Sequence, residues 1–278
     1  VTVYPREVHV TLTQARTQDL RNAVQELLNS RGMLNIKKAL TLAGTLSWVG
    51  SIIPLARPFV GQLWGAITAH MKETENAPAR SSTRTRPKEL IFIKRMEHAL
   101  KVLDVMLGQD RQLCKIFKLA EREHIISLTI RTDASPFGMG GLLVGPNQEV
   151  MAYWADEISE EDCSRLGAKR GDPAFQTEWE LLAVLCSVHV FQDEVRQQAH
   201  SICLQTDNTA VQYVSQALKA RGAVMTALTA ELVLLLEELG ACFKVSQHIP
   251  GVCNVVADAL SRLSQGAKLP QFPLRAPR

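Results

Sequence analysis

The sequence has no C-x-x-C pair; its six cysteines stand at 114, 163, 186, 203, 242 and 253. That spacing argues against a zinc knuckle or a disulfide framework and for buried, reduced thiols, as expected of an intracellular protein of the cytoplasm or nucleus. The sequence also has no uninterrupted apolar run of about 18 residues. The best candidate, 46–67, is broken by Pro54, Arg57 and Pro58, so no membrane partner is expected. No apolar signal core follows Val1, which reads as a chain cut from something longer. No extreme of composition is present either. With 278 residues, 46% hydrophobic and 21% charged, the chain is neither wholly disordered nor a long coiled coil. Its length suggests about two domains.

What is present is uneven. Residues 1–126 hold 19 Lys/Arg against 11 Asp/Glu, a net of +8. Residues 127–278 hold 12 against 17, a net of −5, and the two halves give the overall +3. A basic arm beside an acidic half suits a polyanion binder joined to a site that gathers carboxylates.

Residues 1–75 read as a mostly helical region. Leu20, Val24, Leu27 and Leu28 form an i, i+4, i+7, i+8 stripe over 13–29. A second helix is expected over 36–49, a break over 51–58, and a third helix over 59–71. Residues 76–124 read as a linker or connection. Its start is the clearest linker in the chain, with Pro78, Pro87 and the cations Arg80, Arg84, Arg86 and Lys88. A helix is expected over 89–107 and a connector over 110–123. Residues 125–265 change texture. Strands are expected at 126–130, 138–144, 149–154, 201–205 and 241–247, and helices at 175–191, from 208 or 209, at 223–239 and at 254–263. The order βββαβααβα predicts an α/β domain with a five-stranded mixed sheet: a meander, then crossovers to parallel strands. Residues 266–278 read as a loose tail.

Four acids fall where this topology would gather them. Asp133 follows the first strand and Asp207 ends the fourth. Glu180 lies in the long helix, and Asp258 opens the last one. Parallel strands end on one side of a sheet, which is where open α/β sheets place their sites. Bare carboxylates at ~4 Å and effective ε of ~20 repel by about 4 kcal/mol per pair, so such a cluster implies protons or cations. An all-oxygen set favours two Mg²⁺ or Mn²⁺ ions, a device for phosphodiester hydrolysis.

The residues around these acids resemble a known family. Thr132-Asp133-Ala134-Ser135 with Gly138-x-Gly140, then Glu180-Leu-Leu-Ala, then Thr206-Asp207-Asn208 form most of the match. His248-Ile-Pro-Gly-x-x-Asn254-x-x-Ala-Asp258-Ala-Leu-Ser-Arg262 completes it. Together they are similar to the ribonuclease H domain of retrotransposon reverse transcriptases, gypsy-like or DIRS-type. More faintly, Leu42-Ala-Gly-Thr-Leu-Ser-Trp48 and Ile53-Pro-Leu-Ala-Arg-Pro58 resemble the thumb that grips the template–primer duplex. The resemblance implies a ribonuclease H-like fold after a thumb-like region, and endonucleolytic cleavage of the RNA strand of an RNA–DNA hybrid. It makes Asp133, Glu180, Asp207 and Asp258 the metal ligands, with His248 assisting proton transfer or product release. It also implies partnership with the polymerase palm and fingers of the same polyprotein. No tyrosine-x-aspartate-aspartate palm motif is present, so the chain by itself is not expected to polymerise DNA.

Each residue also has a plainer reading. Asp133 is a possible turn former. Asp207 or Asn208 is a possible helix cap, and Asp258 a first-turn acid favoured by the helix dipole. Glu178 rivals Glu180; periodicity does not separate them, and the resemblance selects Glu180. Main-chain groups near Ser135 and Gly138, together with Asn208 and the linker cations, are the candidates for nucleic-acid contact. Trp48, Trp64, Trp154 and Trp179 are expected in the core. The functional alternative is a catalytically inactive ribonuclease H-fold module that binds nucleic acid or serves as a scaffold.

Overall fold

The computed structural model describes residues 1–5, 7–30, 32–75, 89–108, 114–118, 128–198 and 201–271. Two compact units emerge, 1–122 with 221–223 and 123–220 with 224–278. The linker cations Arg80, Arg84, Arg86 and Lys88 lie outside the described residues, as do 272–278 of the tail.

The first unit contains β1 (Thr2–Tyr4), β2 (Glu7–Thr11), α1 (Gln14–Leu28), β3 (Met33–Asn35), α2 (Ile36–Ile52) and α3 (Arg57–Glu75). These are followed by β4 (Leu90–Phe92), α4 (Glu97–Gly108) and β5 (Cys114–Lys118). Thr13 caps α1 by accepting from the Arg16 N–H, and the helix buries Leu20, Val24 and Leu27, the expected stripe. Asn35 caps α2 in the same way. The break before α3 is only a short 3₁₀ turn, Pro54–Ala56. Pro58 is tolerated because it falls in the first turn of α3, where its missing N–H has no helical partner to lose.

Two expectations fail in this unit. The helix expected from residue 89 starts only at Glu97, because Leu90–Phe92 pairs antiparallel with β3. A short apolar run fits strand or helix equally, and its pairing partner decides. The expected connector contains β5, which joins β2 to complete the sheet β1-β2-β5. Two tryptophans also lie outside the core: Trp48 is 54% exposed and Trp64 38%. Trp48 falls between Leu46 and Val49 of the buried α2 stripe and so faces outward, while the Trp64 indole donates to Ser47 Oγ at 2.9 Å.

The second unit runs through β6 (Leu128–Ala134), β7 (Gly138–Val144), β8 (Val150–Glu157), α5 (Glu160–Leu166), α6 (Gln176–Val190) and α7 (Gln192–Gln198). It continues with β9 (Ser201–Thr206), α8 (Thr209–Ala217), α9 (Ala223–Glu238), β10 (Cys242–His248) and α10 (Val255–Ser261). The sheet order is β10-β9-β6-β7-β8. β6, β7 and β8 form the antiparallel meander, β9 runs parallel to β6, and β10 parallel to β9. This is the ribonuclease H-like α/β arrangement expected from the sequence. The helices α5 and α7 were not expected. For α5 the signal was in the sequence: Ser159 and Asp162 form a reciprocal capping box, and Gly167 ends the helix at φ 65°.

The sheet is covered on both faces. On one, Leu181, Val184 and Val188 of α6 pack against Leu128, Ile130, Leu143, Ile202 and Leu204. On the other, Leu260 of α10 packs against Leu142, Val144 and Val150. The second packing requires glycine in β7. A Cβ on Gly140 would stand 2.3 Å from Leu260 Cβ, and one on Gly138 would stand 2.8 Å from the Ser261 carbonyl oxygen. Trp179 is fully buried, and the half-buried Trp154 donates its indole N–H to Ser187 Oγ at 2.9 Å. No helix among the described residues is long and apolar enough to cross a membrane.

Candidate active site

The site lies at the carboxyl ends of the neighbouring parallel strands β6 and β9. Asp133 is the penultimate residue of β6, and Asp207 follows the last residue of β9. Glu180 projects from the second turn of α6. One carboxylate oxygen from each of these three lies within 4.8 Å of the other two. Asp133 and Glu180 are buried, at 5% and 4% exposure. Glu178, the rival of Glu180, is only partly buried and lies outside this group.

Each member is held by the local fold. Asp133 Oδ2 accepts the Ser261 hydroxyl at 2.5 Å. Asn254 Nδ2 donates to the Thr132 carbonyl at 2.9 Å. The Ser135 hydroxyl donates to the Ser261 carbonyl at 2.9 Å. These three bonds staple α10 to the end of β6 on either side of Asp133, at the close approach that Gly138 and Gly140 allow. Glu180 Oε1 accepts from Gln176 Nε2 at 3.1 Å, and the same amide reaches the Ala134 carbonyl at 2.5 Å. Glu180 Oε2 is buried with no hydrogen-bond partner. Behind Asp207, Asn208 Oδ1 caps α8 by accepting from the N–H groups of Ala210 and Val211. Capping and a free Asp207 carboxylate therefore coexist.

The electrostatics follow from this crowding. Burial pushes the Asp133 carboxyl up to about 7; the Ser261 hydrogen bond opposes the rise, and the charges of Asp207 and Asp258 add to it. Burial pushes Glu180 up to about 9, reinforced by the charges of Asp133 and Asp207 and opposed by hydrogen bonds from Gln176 and the Ala134 backbone. Three converging carboxylates, one with an orphaned buried oxygen, call for protons or a cation. The donors are all oxygen and include no His or Cys, which fits Mg²⁺ or Mn²⁺.

The remaining expected residues fall differently. Asp258, in the first turn of α10, stands outside the trio; its Oδ1 pairs with Arg262 Nε at 2.7 Å. Its charge still acts on Asp133. His248 is exposed at the end of β10, with Nε2 3.0 Å from the Asp207 carbonyl oxygen. A carbonyl only accepts, so Nε2 is the donor in that contact. Ser135 and Gly138 themselves are buried. Ser135 is 1% exposed, and its hydroxyl accepts the N–H groups of Phe137 and Gly138 at 3.2 and 3.1 Å. With the Ser135 N–H donating to the Gly138 carbonyl at 2.8 Å, these bonds close the β6–β7 turn. The positioning residues Gln176, Asn254 and Ser261 were missed as such. Gln176, four residues before Glu180, was the only one with a spacing signal of its own.

No family model matches the chain, and no curated protein does. Among solved structures, it is similar to the ribonuclease H1 of the halophilic archaeon Halobacterium salinarum, at 18% identity over 50% of this chain and 98% of that one, with a TM-score of 0.37. It is also similar to the LC11 ribonuclease H1 in complex with an RNA/DNA hybrid, at 16% identity over 48% and 92%, with a TM-score of 0.39. A longer but looser alignment joins it to the foamy viral protease-reverse transcriptase in complex with an RNA/DNA hybrid. There the identity is 12%, the TM-score 0.30, and the coverage 84% of this chain and 27% of that one.

Proposed function

We propose that the second unit hydrolyses the RNA strand of RNA–DNA hybrids endonucleolytically, within a retroelement reverse transcriptase whose palm and fingers are supplied elsewhere in the polyprotein. The observation that carries this reading is the convergence of Asp133, Glu180 and Asp207 at the ends of two parallel strands. Motif residues in the order Asp, Glu, Asp, His, Asp along the chain support it.

Asp133, Glu180 and Asp207 would hold the first divalent ion, and Asp258 with Asp133 a second. Bound there, such ions supply an activated water and a stabilised leaving oxygen for in-line displacement at phosphorus. The protein prepares this. Ser261 fixes one Asp133 oxygen, and Gln176 fixes one Glu180 oxygen and leaves the other free to ligate. His248 is held by the Asp207 carbonyl with Nδ1 available to take or deliver a proton. Hybrid selectivity requires contacts to the 2′-hydroxyl. Asn208, half-buried beside Asp207, is a motif residue that could make one.

The test is cleavage of a labelled RNA–DNA hybrid with Mg²⁺ or Mn²⁺, alongside the Asp207→Asn variant. Loss of cleavage by at least about a hundredfold is expected. Equal rates would show that Asp207 does not serve the reaction. Hybrid binding that survives a chelator, with no cleavage under either ion, would instead favour the inactive binding module.

A further inference from the structure

Of the four expected acids, Asp258 is the one the fold gives to a cation of its own chain. Arg262 follows it by four residues on α10, with Nε 2.7 Å from Asp258 Oδ1. The acid stands N-terminal to the base, the favoured order for an i,i+4 pair. Both side chains are about half exposed, at 47% and 50%. The positive charge of Arg262 also acts on Asp133 and Asp207. The guanidinium therefore lies in the field of the cluster and on its solvent side.

Resting on the divalent-ion reading above, we propose that Arg262 is a resident counter-cation of the site, which a second divalent ion must displace from Asp258. The Asp133–Glu180–Asp207 cradle then fills first. An exposed ion pair is weak in water, so displacement is feasible, and its cost appears as reduced affinity for the second ion. The coupling is reciprocal: whatever Arg262 takes from the ion's affinity, the ion takes from the pair. The opposite role, in which Arg262 orients Asp258 toward the ion, predicts the opposite sign.

Titration calorimetry of Mn²⁺ into the metal-stripped full chain separates these. The parent should show one tight event and one weaker. Arg262→Gln should tighten the weaker event by about twofold to fivefold, and Arg262→Lys, which keeps the charge, should stay near the parent. In Asp258→Asn the weaker event should vanish, and adding Arg262→Gln there should change nothing. A weaker event that is unchanged or loosened in Arg262→Gln overturns the proposal, as do two equally tight events in the parent. Absence of Mn²⁺ uptake by every protein tested would remove the carboxylate-cradle reading itself, and this inference with it.

Discussion

Replacing Glu180 by Gln isolates the cost of the buried cluster. Glu180 titrates at about 9 in the folded chain against 4.5 as a free side chain. Between those values the native state holds a proton that the unfolded chain has lost. Stability from this group is therefore complete below pH 4.5 and declines as pH rises toward 9. At about 1.4 kcal/mol per unit, the loss at pH 8 is of order 5 kcal/mol, an upper bound because Asp133 titrates together with Glu180. Gln is neutral and isosteric; it keeps an oxygen for Gln176, and its amide faces the remaining carboxylates. In a chelator, Glu180→Gln should melt higher than the parent at pH 8 by up to roughly 10–20 °C, at about 2–4 °C per kcal/mol. The difference should shrink toward zero near pH 4.5. Millimolar Mg²⁺ should raise the parent's melting temperature and leave the variant's nearly unchanged. Differential scanning calorimetry across pH reads all of this. A variant that melts lower than the parent at pH 8 without metal, or a difference independent of pH, would refute the reasoning.

Ser261→Ala removes the hydrogen bond that restrains Asp133, so Asp133 should titrate above about 7; the acid limb of the pH–rate profile for hybrid cleavage should move upward. Gly140→Ala drives a Cβ to 2.3 Å from Leu260 Cβ and should cost ~2–4 kcal/mol in urea melts. By contrast, Gly44→Ala on α2 meets nothing within 4 Å and should stabilise by ~0.5–1 kcal/mol. Asn208→Ala removes the cap of α8 and should cost ~1 kcal/mol.

Local signals carried much of the architecture. Thr13, Asn35 and Asn208 are caps in the structure, and each is a residue type whose short polar side chain reaches back to free backbone N–H groups. Where the local signal was ambiguous, reading failed. Leu90–Phe92 is a strand because β3 lies beside it. Trp48 is large and apolar, yet the stripe of α2 passes on either side of it.

What the amino-acid order determined by itself was the βββαβααβα order of the second unit, without α5 and α7, and the set of acids placed at strand ends and in helices. Periods of two and 3.6 residues, turn glycines and caps act over a few residues, so they are legible in one dimension. The tertiary structure alone decided which acids meet. Glu180 prevails over Glu178 through the packing of α6 on the sheet. Asp133 is set by Asn254 and Ser261 from 122 and 128 residues away. Asp258 turns to Arg262 while the other three converge. Burial, and with it the raised acidities, depends on contacts between distant segments, and no local pattern in the chain encodes it.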